Sequence, residues 1–244
     1  PEAHYNLGIT LQELGRLDEA EASYNQAIAL KPDFAEAHSN LGVTLQELGR
    51  LEESEAYHNQ AIVLKLDYPE AHYNLGITLQ ELGGLDEAEA SYSQAIALKP
   101  DYAEAHNNLG VTLKELGRLE ESEASYNRAI ELKPDYAEAH LNFCELLEKM
   151  NRADELLSFV RNKSVKILEK KADFLYYEAL IEFRKENYEI AAELIKKINI
   201  NELMDKRQPA LLKLKADLYH NKKNYNAAFE TYKSKNKYIK DSLE

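Results

Sequence analysis

Leucines at 7, 11 and 14 recur at steps of four and three, the spacing of one face of a helix. A second apolar stripe follows at Ala20, Tyr24, Ala27 and Ile28. Between the stripes stands Gly15, free to take the left-handed conformation that ends a helix. After the second comes Pro32, which cannot continue one. The pattern predicts a hairpin of two helices, and the chain writes it repeatedly. NLGITLQELG at 6–15 returns as NLGVTLQELG at 40, NLGITLQELG at 74 and NLGVTLKELG at 108, in steps of 34 residues. A fixed period of this length is the mark of a stacked array of like units.

The edits between copies are informative. Residues 1–34 and 69–102 differ only at Arg16/Gly84, Asn25/Ser93 and Phe34/Tyr102. Residues 35–68 and 103–136 share LEESEA where the other two have LDEAEA, so the copied block is a pair of repeats, 68 residues long. Asp33 and Glu36 read as a capping pair for the third helix. Asp18, Glu19 and Glu21 near the start of the second helix, and Lys31 at its end, suit the helix dipole. Gly8 inside a helix costs roughly 1 kcal/mol against Ala. It is expected where two helices approach closely, against the small surfaces of Ala20 and Ala27. A single hairpin leaves one apolar side open, so successive hairpins are expected to cover one another.

Composition narrows the class. The chain has 244 residues, no Trp, nine Gly and six Pro, and its abundance of Ala, Leu, Glu and Lys favours helix. The single Cys144 excludes an internal disulfide. No apolar run reaches the roughly 20 residues of a membrane span, and no basic-then-apolar leader is present. A cytoplasmic, membrane-free setting is the expectation. The net charge of −13 is uneven: residues 1–136 hold 25 acidic and 9 basic side chains, and residues 137–244 hold 18 and 21. The acidic first part would repel a nucleic-acid backbone, so no nucleic-acid partner is expected.

The run AEAHSNLGVTLQELGRLEESEAYHNQAIVL resembles the tetratricopeptide repeat (TPR) in period and positions together. Leu-Gly stands at positions 7–8 in all four copies, Tyr at position 24 except at His58, Ala at 27, and Pro at 32 except at Leu66. Position 4 is His throughout (His4, His38, His72, His106), and position 11 is Leu where the family has an aromatic. Residues 137–171 form a fifth, diverging repeat, with Cys144 in the Gly position and Asn151 at the turn. Residues 172–244 read as two degenerate helix pairs with a Lys-rich tail, joined by an irregular segment at 199–208. The fold class expected is therefore all-α, a right-handed α-solenoid (superhelix) of antiparallel helix pairs.

The resemblance implies a concave face lined by the first helices, at positions 2, 5, 6, 9, 12 and 13. Position 6 is Asn in five successive repeats: Asn6, Asn40, Asn74, Asn108 and Asn142. A side-chain amide both donates and accepts, so a row of them suits an extended peptide backbone. The row is similar to the asparagine ladder in the TPR array of O-linked N-acetylglucosamine transferases. Around it lie Tyr5, Ser39, Tyr73 and Asn107 at position 5, and Ile9, Val43, Ile77 and Val111 at position 9. Glu13, Glu47, Glu81 and Glu115 add acid. The function expected is a protein–protein interaction scaffold, a monomer, holding an extended, neutral or basic segment of another protein. Positions 5 and 9 carry no basic residue to clamp a terminal carboxylate.

No enzyme, cofactor or metal is expected. Zinc needs ligand nitrogens about 2 Å away, and helix axes pack ~8–10 Å apart, so position-4 histidines of neighbouring repeats read as structural. Cys144 reads as a packing residue. No phosphate-binding Gly loop or Ser nucleophile elbow is present, and the Asn162-Lys-Ser164 sequon reads as accidental. The start at Pro1 and the tail KSKNKYIKDSLE read as a piece of a longer protein. Residues 172–244 also resemble the helical stretch before the catalytic domain of bacterial TPR-sulfotransferase fusions. The alternative function is then the substrate-recruiting arm of a transferase whose phosphoadenosine-phosphosulfate domain would follow residue 244.

Overall fold

The computed structural model describes residues 1–163 and 170–241; Ser164 of the sequon lies outside them. The described chain is all-helical, with fourteen α-helices packed in sequential pairs. It divides into two compact units, residues 1–134 and 135–244.

The first unit holds α1 (Glu2–Glu13), α2 (Leu17–Leu30), α3 (Ala35–Glu47), α4 (Leu51–Leu64), α5 (Pro69–Glu81), α6 (Leu85–Leu98), α7 (Ala103–Glu115) and α8 (Leu119–Leu132). Each odd-numbered helix folds back on the even-numbered one that follows it. The turns between partners rest on Gly15, Gly49, Gly83 and Gly117, whose φ angles of 71, 75, 84 and 80° only glycine adopts without strain. Successive pairs then pack second helix to first helix: α2 on α3, α4 on α5, α6 on α7. Ala20, Tyr24, Ala27, Ala61, Ala88, Tyr92, Ala95, Tyr126 and Ala129 have no exposed surface at all.

Two local expectations need correction. The residue preceding α3 is Phe34, and no side-chain capping bond forms there, so Asp33 and Glu36 are not a capping pair. The carboxylate of Glu36 is engaged elsewhere, by Lys65 Nζ at 3.0 Å. Gly8 does sit at a close approach, but its neighbour is an aromatic ring, not Ala20 or Ala27. A Cβ on Gly8 would lie 2.5 Å from Tyr24 Cε1, and one on Gly76 would lie 2.6 Å from Tyr92 Cε1. Tyr24, Tyr92 and Tyr126 pack against the backbone of Gly8, Gly76 and Gly110, which leaves no room for a side chain at these positions.

The second unit holds α9 (Ala137–Lys149), α10 (Ala153–Lys163), α11 (Lys171–Arg184), α12 (Tyr188–Lys196), α13 (Gln208–Asn221) and α14 (Tyr225–Asp241). Two short 3-10 turns, Ile200–Glu202 and Asp205–Arg207, fill the irregular connection before α13. Here the helix-ending turns have lost their glycines. Asn151, Glu186 and Lys223 hold φ of 58, 64 and 58°, a conformation that costs a side-chain-bearing residue about 1–2 kcal/mol. In the fifth repeat Cys144 and Val160 occupy positions 8 and 24, and both are fully buried. A larger residue at one position accompanies a smaller one at the other, which conserves volume.

Candidate functional site

In the first unit the first helices of neighbouring repeats touch, α1 with α3, α3 with α5 and α5 with α7. Their shared face carries the residues singled out from sequence. Ile9, Val43, Ile77 and Val111 are half-buried along it. Between α1 and α3 they open into a shallow pocket of about 350 Å³, lined by Ile9, Gln12, Glu13, Tyr24, Asn40, Val43 and Glu47.

The asparagines of this face are not equivalent. Asn40 Nδ2 donates to Tyr5 Oη at 3.2 Å, and Asn108 Nδ2 donates to Tyr73 Oη at the same distance. These two amides tie one repeat to the preceding one. Asn6 is exposed and Asn74 half-buried, and neither side chain has a hydrogen-bond partner among the described residues. The reason is the residue at position 5 of the preceding repeat. Asn74 would need a tyrosine where Ser39 stands, and Ser39 is buried. Asn107 is completely buried as well, with Nδ2 donated to Asn108 Oδ1 at 3.2 Å, so it does not offer open groove surface. Asn142 is 9% exposed on α9 and belongs to the second unit.

A second row lies beside the first and escaped the sequence reading. Gln12 Nε2 donates to Glu47 Oε1 at 2.8 Å, Gln46 Nε2 to Glu81 Oε1 at 2.8 Å, and Gln80 Nε2 to Glu115 Oε2 at 3.5 Å. Tyr24 and Tyr92 donate from below to the carbonyls of Gln12 and Gln80, each at 3.1 Å. Burial pushes the Tyr24 phenol up to about 12, so it remains a donor at neutral pH. The glutamates are thus held by neutral donors. The recurrence of Gln at position 12 next to Glu at 13 is the signal that could have revealed this row.

The links between repeats follow the 68-residue block. Within each block three ties recur. Besides Asn40–Tyr5 and Asn108–Tyr73, Arg50 Nη1 meets Glu21 at 2.7 Å and Arg118 Nη1 meets Glu89 at 2.5 Å. His38 Nε2 lies 3.0 Å from the Pro32 carbonyl oxygen, and His106 Nε2 lies 3.2 Å from that of Pro100. A carbonyl only accepts, so each of these nitrogens carries the hydrogen. His38 and His106 are therefore links between repeats, whereas His4 is exposed and His72 makes no such bond. At the junction of the two blocks none of the three ties is present among the described residues: Ser39 replaces the tyrosine, Gly84 replaces the arginine, and His72 makes no bond to the Leu66 carbonyl. The Gln46–Glu81 bond persists there, as its counterparts do within each block, and a buried contact between Ser54 Oγ and Thr78 Oγ1 at 3.1 Å is added.

The second unit is organised around Arg207. Its guanidinium donates to Asp173 Oδ1 at 2.8 Å, Glu145 Oε1 at 2.8 Å and Tyr177 Oη at 3.0 Å, and its own side chain is 5% exposed. Removing one partner of such a buried cluster costs about 3–5 kcal/mol, so Arg207 locks the 3-10 turn onto α9 and α11. Burial pushes the Cys144 thiol far up, which leaves it an inert packing group. A cleft of about 340 Å³ opens among α9, α11 and α13, lined by residues that include Glu148, Tyr176, Leu180 and Lys213.

Family models described as tetratricopeptide repeat or TPR repeat match residues 11–49, 33–101 and 73–137, which together span more than half of the chain. The chain belongs to the tetratricopeptide-repeat family. Tetratricopeptide-repeat proteins are generally protein-interaction scaffolds, and no catalytic domain is identified here. Among solved structures, a tetratricopeptide repeat protein from Parabacteroides merdae is 18% identical with a TM-score of 0.72, over 97% of this chain and 92% of that one. Pseudomonas aeruginosa pilF is 18% identical with a TM-score of 0.70, over 80% and 89%. YrrB, described as a TPR protein with an unusual peptide-binding site, is 23% identical with a TM-score of 0.61, over 82% and 97%. At these identities the likeness is one of fold. No curated protein matches the chain. Among the described residues no helix is long and apolar enough to cross a membrane, and no group of three or more His, Cys, Asp or Glu could hold a metal ion.

Proposed function

We propose that this tetratricopeptide-repeat chain binds an extended, neutral or basic segment of another protein along the first-helix face of residues 1–134. The observation that carries the reading is the pair Asn6 and Asn74. Each presents a side-chain amide without a partner beside an aliphatic residue, Ile9 or Ile77, and each recurs one 68-residue block after the other. An amide of this kind pairs with both the N–H and the C=O of a peptide backbone. The glutamates at 13, 47, 81 and 115 disfavour acidic segments and favour basic ones. Asn40 and Asn108 serve the scaffold first, through Tyr5 and Tyr73.

The test is fluorescence anisotropy with a labelled ten-residue peptide chosen from an array of acetylated, amidated sequences for binding to the full chain. Asn6→Ala with Asn74→Ala is expected to weaken binding about tenfold or more while leaving the melting temperature unchanged. Asn40→Ala with Asn108→Ala is expected to lower the melting temperature and to weaken binding less. Equal affinity of the first variant and the parent chain would refute the reading.

A further inference from the structure

The pocket between α1 and α3 is apolar inside and acceptor-rich at its mouth. Ile9, Val43 and the ring of Tyr24 supply the apolar lining. The donors around it are engaged: Tyr24 Oη donates to Gln12, Gln12 Nε2 to Glu47, and Asn40 Nδ2 to Tyr5. What stays open among the described residues is mainly acceptor, namely the whole carboxylate of Glu13 and the second oxygen of Glu47. One comes from each helix, and both residues are exposed.

Every lining residue recurs unchanged 68 positions on, from Ile77 in place of Ile9 to Glu115 in place of Glu47. The bonds recur with them: Tyr92 Oη to Gln80, Gln80 Nε2 to Glu115, and Asn108 Nδ2 to Tyr73. Glu81, the counterpart of Glu13, accepts one bond from Gln46 and keeps its other oxygen. Burial is the main cause of the raised phenols of Tyr24 and Tyr92. Flanking carboxylates add to it, Glu13 and Glu47 for the first, Glu81 and Glu115 for the second. Each ring thus stands in the field of two acids. The place between α3 and α5 differs. There His58 replaces the tyrosine and neither ring nitrogen has a hydrogen-bond partner, while the Asn74 amide is an open donor.

We propose that each of these two pockets takes an arginine side chain of the bound segment, its stem along Ile9 and Val43, or Ile77 and Val111, and its guanidinium shared between the two carboxylates. This rests on the peptide-binding reading and names the residue that the segment carries. Arginine supplies a long apolar stem for the lining and a planar fork of N–H donors for the acceptors. Lysine offers a point charge, which bridges two carboxylates less well. The pockets lie two repeats apart. With neighbouring helix axes about 10 Å apart, that is about 20 Å, or roughly six residues of extended chain at about 3.3 Å each. The two arginines are therefore spaced by about six residues, with backbone over Asn74 between them.

Fluorescence anisotropy of the full chain with labelled, acetylated and amidated alanine–serine decapeptides tests it. The probes carry two arginines at varied spacing, or two lysines or two glutamines in their place. The arginine pair about six residues apart is expected to bind about tenfold or more tighter than its glutamine counterpart, with lysine between. Glu13→Gln with Glu81→Gln is expected to remove that advantage at an unchanged melting temperature. Glu52→Gln with Glu120→Gln removes the same charge from exposed positions on α4 and α8 and is expected to keep it. Asn6→Ala with Asn74→Ala is expected to weaken binding without changing the preference for arginine, so the two readings fail separately. Three results would each overturn the arginine pockets and leave backbone binding standing: arginine and glutamine peptides bound equally, an advantage that survives loss of Glu13 and Glu81, or equal effects of the outer and pocket substitutions. No binding by any probe would overturn the pockets, and an array empty as well would overturn backbone binding with them.

Discussion

The ring of His58 lies directly against the backbone of Gly42, in the slot that Tyr24, Tyr92 and Tyr126 fill against Gly8, Gly76 and Gly110. A Cβ on Gly42 would sit 2.7 Å from His58 Cε1. The ring is fully buried, and neither of its nitrogens has a hydrogen-bond partner. Burial therefore pushes its pKa down from 6.5 to about 4. The unfolded chain binds the proton more readily than the folded one. Stability is complete above about pH 6.5 and is lost as pH falls toward 4, by up to about 3 kcal/mol. His72 and His106 are shifted in the same direction by burial. His58→Tyr is expected to raise the melting temperature at pH 7 and to flatten its decline between pH 6.5 and 4, as followed by circular dichroism. An unchanged acid profile would contradict this origin.

Helix propensity and packing disagree at position 8. Propensity alone says that Gly76→Ala should stabilise α5 by about 1 kcal/mol. The added Cβ would lie 2.6 Å from Tyr92 Cε1, and Tyr92 has no room to retreat because it is fully buried. Overpacking of this kind costs about 1–3 kcal/mol. The net expectation is a destabilisation of about 1 kcal/mol or more, measured by urea unfolding. A gain in stability would mean that the aromatic ring yields easily.

The junction between the two blocks is the place to add a link. Glu55 stands where Glu21 and Glu89 meet Arg50 and Arg118, but Gly84 offers it no arginine. Gly84 has an ordinary φ of −79°, and a Cβ there would find Glu87 Oε2 at 3.2 Å, the end of a flexible side chain. Gly84→Arg is expected to pair with Glu55 and Glu87 and to add about 0.5–1 kcal/mol. Native-state hydrogen exchange should show slower opening of α4 and α5 in particular. Exchange unchanged at α4 and α5 would count against a weak seam.

Much of this was legible in the amino-acid order, because the repeat is a local signal written four times. The hairpins follow from Leu7, Leu11 and Leu14 against Tyr24 and Ala27, and the turns from Gly15 and its copies. The irregular stretch before Pro209 announced itself by its lost periodicity. What sequence did not reveal depends on which side chains meet across 29 to 35 positions. An Asn row looks uniform until Tyr5 and Tyr73 are seen to hold Asn40 and Asn108. The departures at Ser39 and Gly84 look scattered until both are seen to remove a tie at one junction. The Arg207 cluster draws on Glu145, 62 positions away, and no spacing rule points to it.

The most direct measurement is a side-chain amide NMR titration of the full chain with a bound peptide from the array. The account predicts that the Asn6 and Asn74 amide signals shift in proportion to occupancy, with smaller changes at Asn40 and Asn108 and none at the helix-ending Asn151. Saturated binding with the Asn6 and Asn74 signals unmoved would contradict it.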